Sequence, residues 1–196
     1  MITSSVLKAL EESCGVASLT LMENAGKAVA DVVAGLKGNR VLIACHHGNN
    51  GGDGFVAARL LCEAKEVDVL FVGDEEKFTP ETRENFTQIS SHDRIQLFEE
   101  AEMIDFDEYD ILVDGLLGTG TRGALEQPLL GLVGQMNETS CLRVAIDIPT
   151  GVHPDDGVSG VAFDAASIVT FHDMKPGLES VKDKVVVADI GIVEKK

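Results

Sequence analysis

Residues 48–54 read Gly48-Asn49-Asn50-Gly51-Gly52-Asp53-Gly54, shortly after the aliphatic run Val41 to Cys45. Glycine at this density is used where φ must be positive or where a ligand approaches the backbone. A strand, a glycine turn and then apolar residues at helical spacing (Phe55, Val56, Leu60, Leu61) bring backbone N–H groups and a helix N-terminus to one point. Such a point binds anions, so a phosphate-bearing ligand on this loop is the first expectation.

Two more loops carry chemistry. Tyr109 to Val113 reads as a strand that ends at Asp114 and enters Gly115-Leu-Leu-Gly-Thr-Gly-Thr-Arg-Gly123. Leu142 to Ile146 is a strand that ends at Asp147 and enters Ile148-Pro149-Thr150-Gly151. An Asp in this position either caps the following turn or faces a ligand. Asn50, Asp114 and Thr150 are oxygen-bearing side chains expected along one sheet edge, and the glycine turns beside them supply free carbonyls. An all-oxygen set with a single carboxylate suits a hard cation of low charge better than zinc or copper. Lys175, after a late strand, either places an ammonium over the same cleft or is a solvated surface lysine. His46 and His47 stand at the first loop's entrance, and adjacent residues of extended chain point apart, which disfavours a shared metal. Gly52-Asp-Gly54-Phe-Val-Ala57 matches a dinucleotide-binding fingerprint with Asp74 about 20 residues on. That frame starts late and leaves residues 48–51 unexplained, which disfavours an ordinary nicotinamide oxidoreductase. No phosphate-loop NTPase motif is present.

The elements that must position these residues alternate. Helices are expected over Thr3 to Ser13, Ser18 to Leu36, Thr79 to Ser90 and Leu129 to Met136, with one after the glycine loop from Phe55. Strands are expected at Val41 to Cys45, Val67 to Val72, Ile95 to Phe98, Ser167 to Phe171 and Val185 to Ile190, besides the two above. Alternation of this kind implies an α/β fold with a mostly parallel central sheet and helices on both faces. Ligands of such sheets bind at the carboxyl ends of the strands, where all three polar loops fall. Asn24, inside the second helix, either faces solvent or reaches a ligand beside the sheet.

Composition narrows the function. The 196 residues are 44% hydrophobic and 25% charged, which fits one folded domain over 1–196. A net charge of −17 argues against a nucleic-acid footprint, which needs clustered Lys and Arg. Cys14, Cys45, Cys62 and Cys141 show neither a Cys-x-x-Cys pair nor zinc spacing, and Cys45 and Cys62 sit in apolar runs as in a reducing compartment. Neither a signal-peptide core nor an apolar run of membrane-spanning length occurs, so a soluble, cytoplasmic protein is expected.

The three blocks Asn49-Asn-Gly-Gly-Asp-Gly54, Val113-Asp-Gly-Leu-Leu-Gly-Thr-Gly120 and Asp147-Ile-Pro-Thr-Gly151 resemble, in order, the signatures of the YjeF N-terminal family, the NAD(P)H-hydrate epimerases. Leu21-Met-Glu-Asn-Ala-Gly26 is similar to that family's opening helix, and Thr170-Phe171 with Lys175 to its late strand and lysine. The resemblance implies a three-layer α/β/α Rossmann-like fold and interconversion of the R and S forms of hydrated NADH and NADPH (NAD(P)HX), in support of an S-specific dehydratase. It implies a dinucleotide substrate rather than a bound redox cofactor, and one potassium ion (K+) per subunit. Carried over block by block, Asn50, Asp114 and Thr150 hold potassium. Asn49, Asn50, Gly51, Gly52 and Asp53, with Gly118, Thr119, Gly120, Thr121, Arg122, Gly123 and Ala124, hold substrate. Asp147 stands at the reacting end as acid/base with Lys175 as partner. A homodimer is compatible with this, as is either a whole protein or the front half of a fused epimerase–dehydratase. Thr150 stands where the family usually has serine, Gly115 where it has alanine, His153 where an acid is common, and His46-His47 replace small, variable residues. A scaffold module without catalysis is the alternative from another class, since this fold also serves in RNA-decapping assemblies and in a lipoprotein-binding context.

Overall fold

The computed structural model describes residues 1–120, 123–158 and 160–193. Helices α1 (Ser4–Ser13) and α2 (Ser18–Ala34) precede strand β1 (Arg40–Cys45), helix α3 (Asn49–Leu61) and strand β2 (Glu66–Phe71). Helix α4 (Pro80–Ser90), strand β3 (Ile95–Phe98), strand β4 (Ile111–Gly115), helix α5 (Leu129–Glu138) and strand β5 (Leu142–Ile146) follow. Two-residue strands β6 (Val152–His153) and β7 (Gly157–Val158) form a small hairpin, and β8 (Ser167–Phe171) and β9 (Val185–Ala188) close the chain's regular structure.

Seven strands form one parallel sheet in the order β3-β2-β1-β4-β5-β8-β9. The expected mostly parallel sheet is therefore parallel throughout. Its topology reverses between β1 and β4, and doubly wound sheets bind ligands at such a switch point. Alternate strand residues serve opposite layers, as period-2 geometry requires. Val41, Ile43, Cys45, Val113 and Ile146 pack with α2, α3 and α4, whereas Leu42, Ala44, Leu112 and Ala145 pack with α5. Four phenylalanines, Phe55, Phe71, Phe78 and Phe86, with ring centroids 5.0 to 6.2 Å apart, lock α3 and α4 against β2. Among the described residues, no helix is long and apolar enough to cross a membrane.

The boundaries differ from expectation where side chains intervene. The Asp110 carboxylate accepts from Asn39 N at 2.7 Å and Arg40 N at 3.0 Å, so β4 starts at Ile111 instead of Tyr109. It also runs to Gly115, so Asp114 is paired within the sheet, opposite Ala44 and Ala145. The larger correction is at 48–54. Helix α3 begins at Asn49, so this segment is a helix start rather than a loop preceding one. None of Gly48, Gly51, Gly52 and Gly54 is among the positive-φ residues. Gly51, Gly52 and Gly54 serve close packing, whereas Gly48 has open space: a Cβ on Gly51 would lie 1.8 Å from the His46 carbonyl oxygen. The approach of α2 to α3 has the same basis, because a Cβ on Gly26 would lie 2.4 Å from Val56 Cβ.

Candidate active site

Asp114 is fully buried at the end of β4. Its Oδ1 accepts from Thr150 Oγ1 at 2.7 Å and Leu116 N at 3.1 Å, and its Oδ2 accepts from Thr150 N at 2.7 Å. The Thr150 hydroxyl in turn accepts from Leu117 N at 3.0 Å, and the Asn50 amide donates to the Leu117 carbonyl at 3.2 Å. Gly118 lies against Asn50, where a Cβ would come within 3.2 Å of its side chain. The chain thus brings Asn50, Asp114, Thr150 and Gly118 to one point at the carboxyl edge of the sheet. Burial raises the Asp114 pKa to about 6 against the opposing pull of its three hydrogen bonds, and no cationic side chain contributes. A buried carboxylate without a counter-charge among the described residues, beside hydroxyl, amide and carbonyl oxygens, fits a hard monovalent cation.

Asp147 follows β5 with φ of 60°, in the left-handed region that non-glycine residues seldom adopt. Its backbone N–H stays tied to the Val169 carbonyl at 2.7 Å. Oδ1 accepts from Thr170 Oγ1 at 3.0 Å, from Phe171 N at 3.3 Å and from Lys175 Nζ. Among the described residues, no hydrogen bond reaches Oδ2. Lys175 is fully buried, and its ammonium also donates to Thr170 Oγ1 and the Phe171 carbonyl, both at 2.9 Å. Of the two readings offered by the sequence, the solvated lysine is excluded. The ammonium lies at the site, but all its protons go to protein acceptors.

Two carboxyls around this pair escaped the sequence reading in that role. Asp53, in the first turns of α3, is buried without a hydrogen-bond partner among the described residues. Its pKa is pushed well up by burial, then by the charges of Asp147 and Glu11, with Lys175 opposing. Glu11 comes from α1, and burial followed by the Asp147 charge raises its pKa too. Helix α1 is held here because Ile2 N donates to the Met174 carbonyl at 2.9 Å, while Ser4 N and Oγ donate to Asp155 at 2.9 Å. No local motif marks Glu11, since only tertiary docking of α1 brings it in.

The remaining expected residues spread along the same edge. Asn49 is exposed and accepts from Thr79 Oγ1 at 2.8 Å. Thr119 is half-buried, Gly120 is exposed, and Gly123 has φ of 83°. Ala124 lines a cleft of about 620 Å³ together with His46, His47, Gly73, Asp74 and Leu117. Thr121 and Arg122 lie outside the described residues. The two histidines do not point apart as extended chain would have them: helix α3 starts so soon after β1 that their rings meet with centroids 3.8 Å apart and planes tilted by 39°. Asn24 neither faces solvent alone nor reaches the cleft; it donates to the Ile190 carbonyl at 2.8 Å, tying α2 to the chain's last segment.

The sequence model of the family described as YjeF-related protein N-terminus matches residues 18–177. The chain is 38% identical over 195 residues to the bifunctional NAD(P)H-hydrate repair enzyme Nnr of Methanothermobacter thermautotrophicus, covering 92% of this chain and 38% of that protein. It is 35% identical over 171 residues to the NAD(P)H-hydrate epimerase of Nitrosopumilus maritimus, covering 83% of this chain and 79% of that protein. The chain therefore spans about two fifths of the bifunctional relatives and most of the single-function one. The crystal structure of yeast ynu0 superposes with a TM-score of 0.82 at 23% identity, over 95% of this chain and 86% of that one, which shows the shared fold.

Proposed function

The chain belongs to the family of YjeF-related protein N-termini, and on that premise we propose that it is an NAD(P)H-hydrate epimerase. In this reading it is a single cytoplasmic domain over 1–196 that interconverts the R and S forms of NAD(P)HX and so feeds an S-specific dehydratase. The observation that carries this is the Asp147 carboxylate at the carboxyl edge of the sheet, one oxygen held by three donors and the other unclaimed among the described residues.

The substrate's C6 bears a hydroxyl and the ring nitrogen, so it is a carbinolamine. Inversion requires that a bond at C6 break and re-form on the other face, by loss and return of water or by ring opening and closure. Each route needs a proton delivered to the departing group and removed from the returning one. Asp147 Oδ2 is the group assigned to both transfers. Lys175 is a positioning residue, because its donors are committed to Asp147 Oδ1, Thr170 Oγ1 and the Phe171 carbonyl. The buried ammonium thereby fixes the orientation of the neighbouring carboxylate.

Asn50, Asp114 and Thr150 are the residues assigned to potassium, with the Leu117 carbonyl beside them. Such an ion would supply the counter-charge that Asp114 lacks among the described residues and offset substrate phosphate in a chain of net charge −17. The N-terminus of α3 and the loop after β4 are assigned to the substrate's phosphates and sugars, through Asn49 to Asp53 and Gly118 to Ala124. All these residues come from one chain, so the reading accommodates a monomer or a homodimer. The test is a coupled assay. An S-specific dehydratase alone should stall partway through a mixture of epimers, and this protein should carry it to completion; an unrelieved stall would refute the assignment.

A further inference from the structure

The crevice has two sides. Asp147 stands after β5, on one side of the switch between β1 and β4. The cleft of about 620 Å³ opens on the other side, where His46 and His47 follow β1, Asp74 and Lys77 follow β2, and Leu117 follows β4. Its volume is in the range of a small-molecule site. The cleft adjoins the oxygen-donor site, because the Asn50 amide donates to the Leu117 carbonyl at 3.2 Å. A dinucleotide whose reacting ring lies at Asp147 would direct its other nucleoside toward β2. In doubly wound sheets an acid after the second strand takes the 2′-hydroxyl of that nucleoside's ribose, whereas a cation there takes a 2′-phosphate.

The cleft's chemistry decides between these. Its charged lining residues, among those described, are Asp74, Glu126 and Lys77. Lys77 is mostly exposed and already faces Asp74 Oδ2 at 3.4 Å. Asp74 Oδ1 accepts from Glu76 N at 3.0 Å, which holds the carboxylate in place and keeps its pKa below the usual value. The His46 and His47 rings, tilted 39° to each other, add aromatic surface but no charge at neutral pH, since burial pushes His46 down to about 4 and lowers His47 as well. Among the described residues, a 2′-phosphate would therefore meet two carboxylates and one engaged lysine.

We propose that this cleft receives the adenosine end of the substrate, and that Asp74 selects a free ribose 2′-hydroxyl over a 2′-phosphate, so that hydrated NADH is preferred to hydrated NADPH. The inference rests on the epimerase reading for the direction in which the dinucleotide lies. The test is calorimetric titration of the full chain, in potassium buffer, with ADP-ribose and with its 2′-phosphorylated form, beside initial rates on the two hydrates. ADP-ribose should bind roughly tenfold or more tightly, the size of one hydrogen bond to a charged acceptor. Asp74→Asn keeps an oxygen for Glu76 N and should bring the two affinities to within about threefold of each other, through the loss of charge. Equal or reversed affinities in the wild type, an unchanged ratio in Asp74→Asn, or binding of neither probe would each overturn the proposal. Failure to epimerise either hydrate, with the ADP-ribose preference intact, would count against the epimerase reading and leave the cleft assignment standing.

Discussion

Lys175 Nζ and Asp147 Oδ1 form an ion pair beneath the carboxyl edge of the sheet, with the lysine fully enclosed and the aspartate nearly so. The pair is asymmetric. Every lysine proton meets a protein acceptor, while Asp147 keeps Oδ2 unclaimed among the described residues. A lysine without exposed surface is costly to hold in water-free surroundings unless it is paired and hydrogen-bonded.

Removing the ammonium should therefore be felt in stability. Lys175→Met leaves a buried carboxylate and the Thr170 hydroxyl without their partner, and should cost about 3 kcal/mol or more in urea unfolding. The double variant with Asp147→Asn should recover part of that loss, because it removes the unpaired charge as well. An unaltered urea midpoint in Lys175→Met would show that the pair does not bear on the fold.

Potassium should stabilise the protein through Asp114. Addition of KCl should stabilise the fold more than equal LiCl, by up to about 2.7 kcal/mol at a hundredfold excess over the dissociation constant, read as a higher thermal midpoint. Asp114→Asn should abolish the difference between the salts. A shift common to all chlorides, or one that persists in Asp114→Asn, would remove the cation from the account.

His46 provides a pH dependence with a definite sign. Its folded pKa of about 4 lies below the ordinary histidine value of 6.5, so the unfolded chain takes up the proton first as pH falls. Stability should be full above pH 6.5 and decline as pH drops from 6.5 toward about 4. His46→Gln should flatten that part of the pH–stability curve. A curve equally steep in the variant would assign the decline to other groups.

Much of this arrangement was legible in the primary structure. Asp114 and Asp147 each close an aliphatic run, and strand–helix alternation puts the ends of such runs on one sheet edge. What could not be read comes from tertiary contact. Lys175 looks the same in sequence whether solvated or enclosed, and only the return of the chain after β8 brings it under Asp147. Glu11 enters through the docking of α1, and Asn24 answers a carbonyl 166 residues away. The glycines misled because density alone does not separate positive φ from close packing.

Gly51 isolates that last distinction. Gly51→Ala would drive a methyl into the His46 carbonyl oxygen and should cost about 3 kcal/mol or more, with loss of ligand binding. Gly134→Ala, in α5 with open space around it, should be neutral or stabilising by about 0.5–1 kcal/mol. Comparable thermal midpoints for the two variants would mean that α3 can shift away from β1 at little cost.

The central claim is that Asp147 inverts C6, and the most direct measurement starts from the purified R hydrate. Chromatographic separation of the epimers over time, with protein present and no dehydratase, should show S accumulating to equilibrium far faster than in buffer. Asp147→Asn should bind ADP-ribose as the wild type does and leave the R hydrate at the buffer rate. An Asp147→Asn protein that equilibrates the epimers as fast as the wild type would contradict the account.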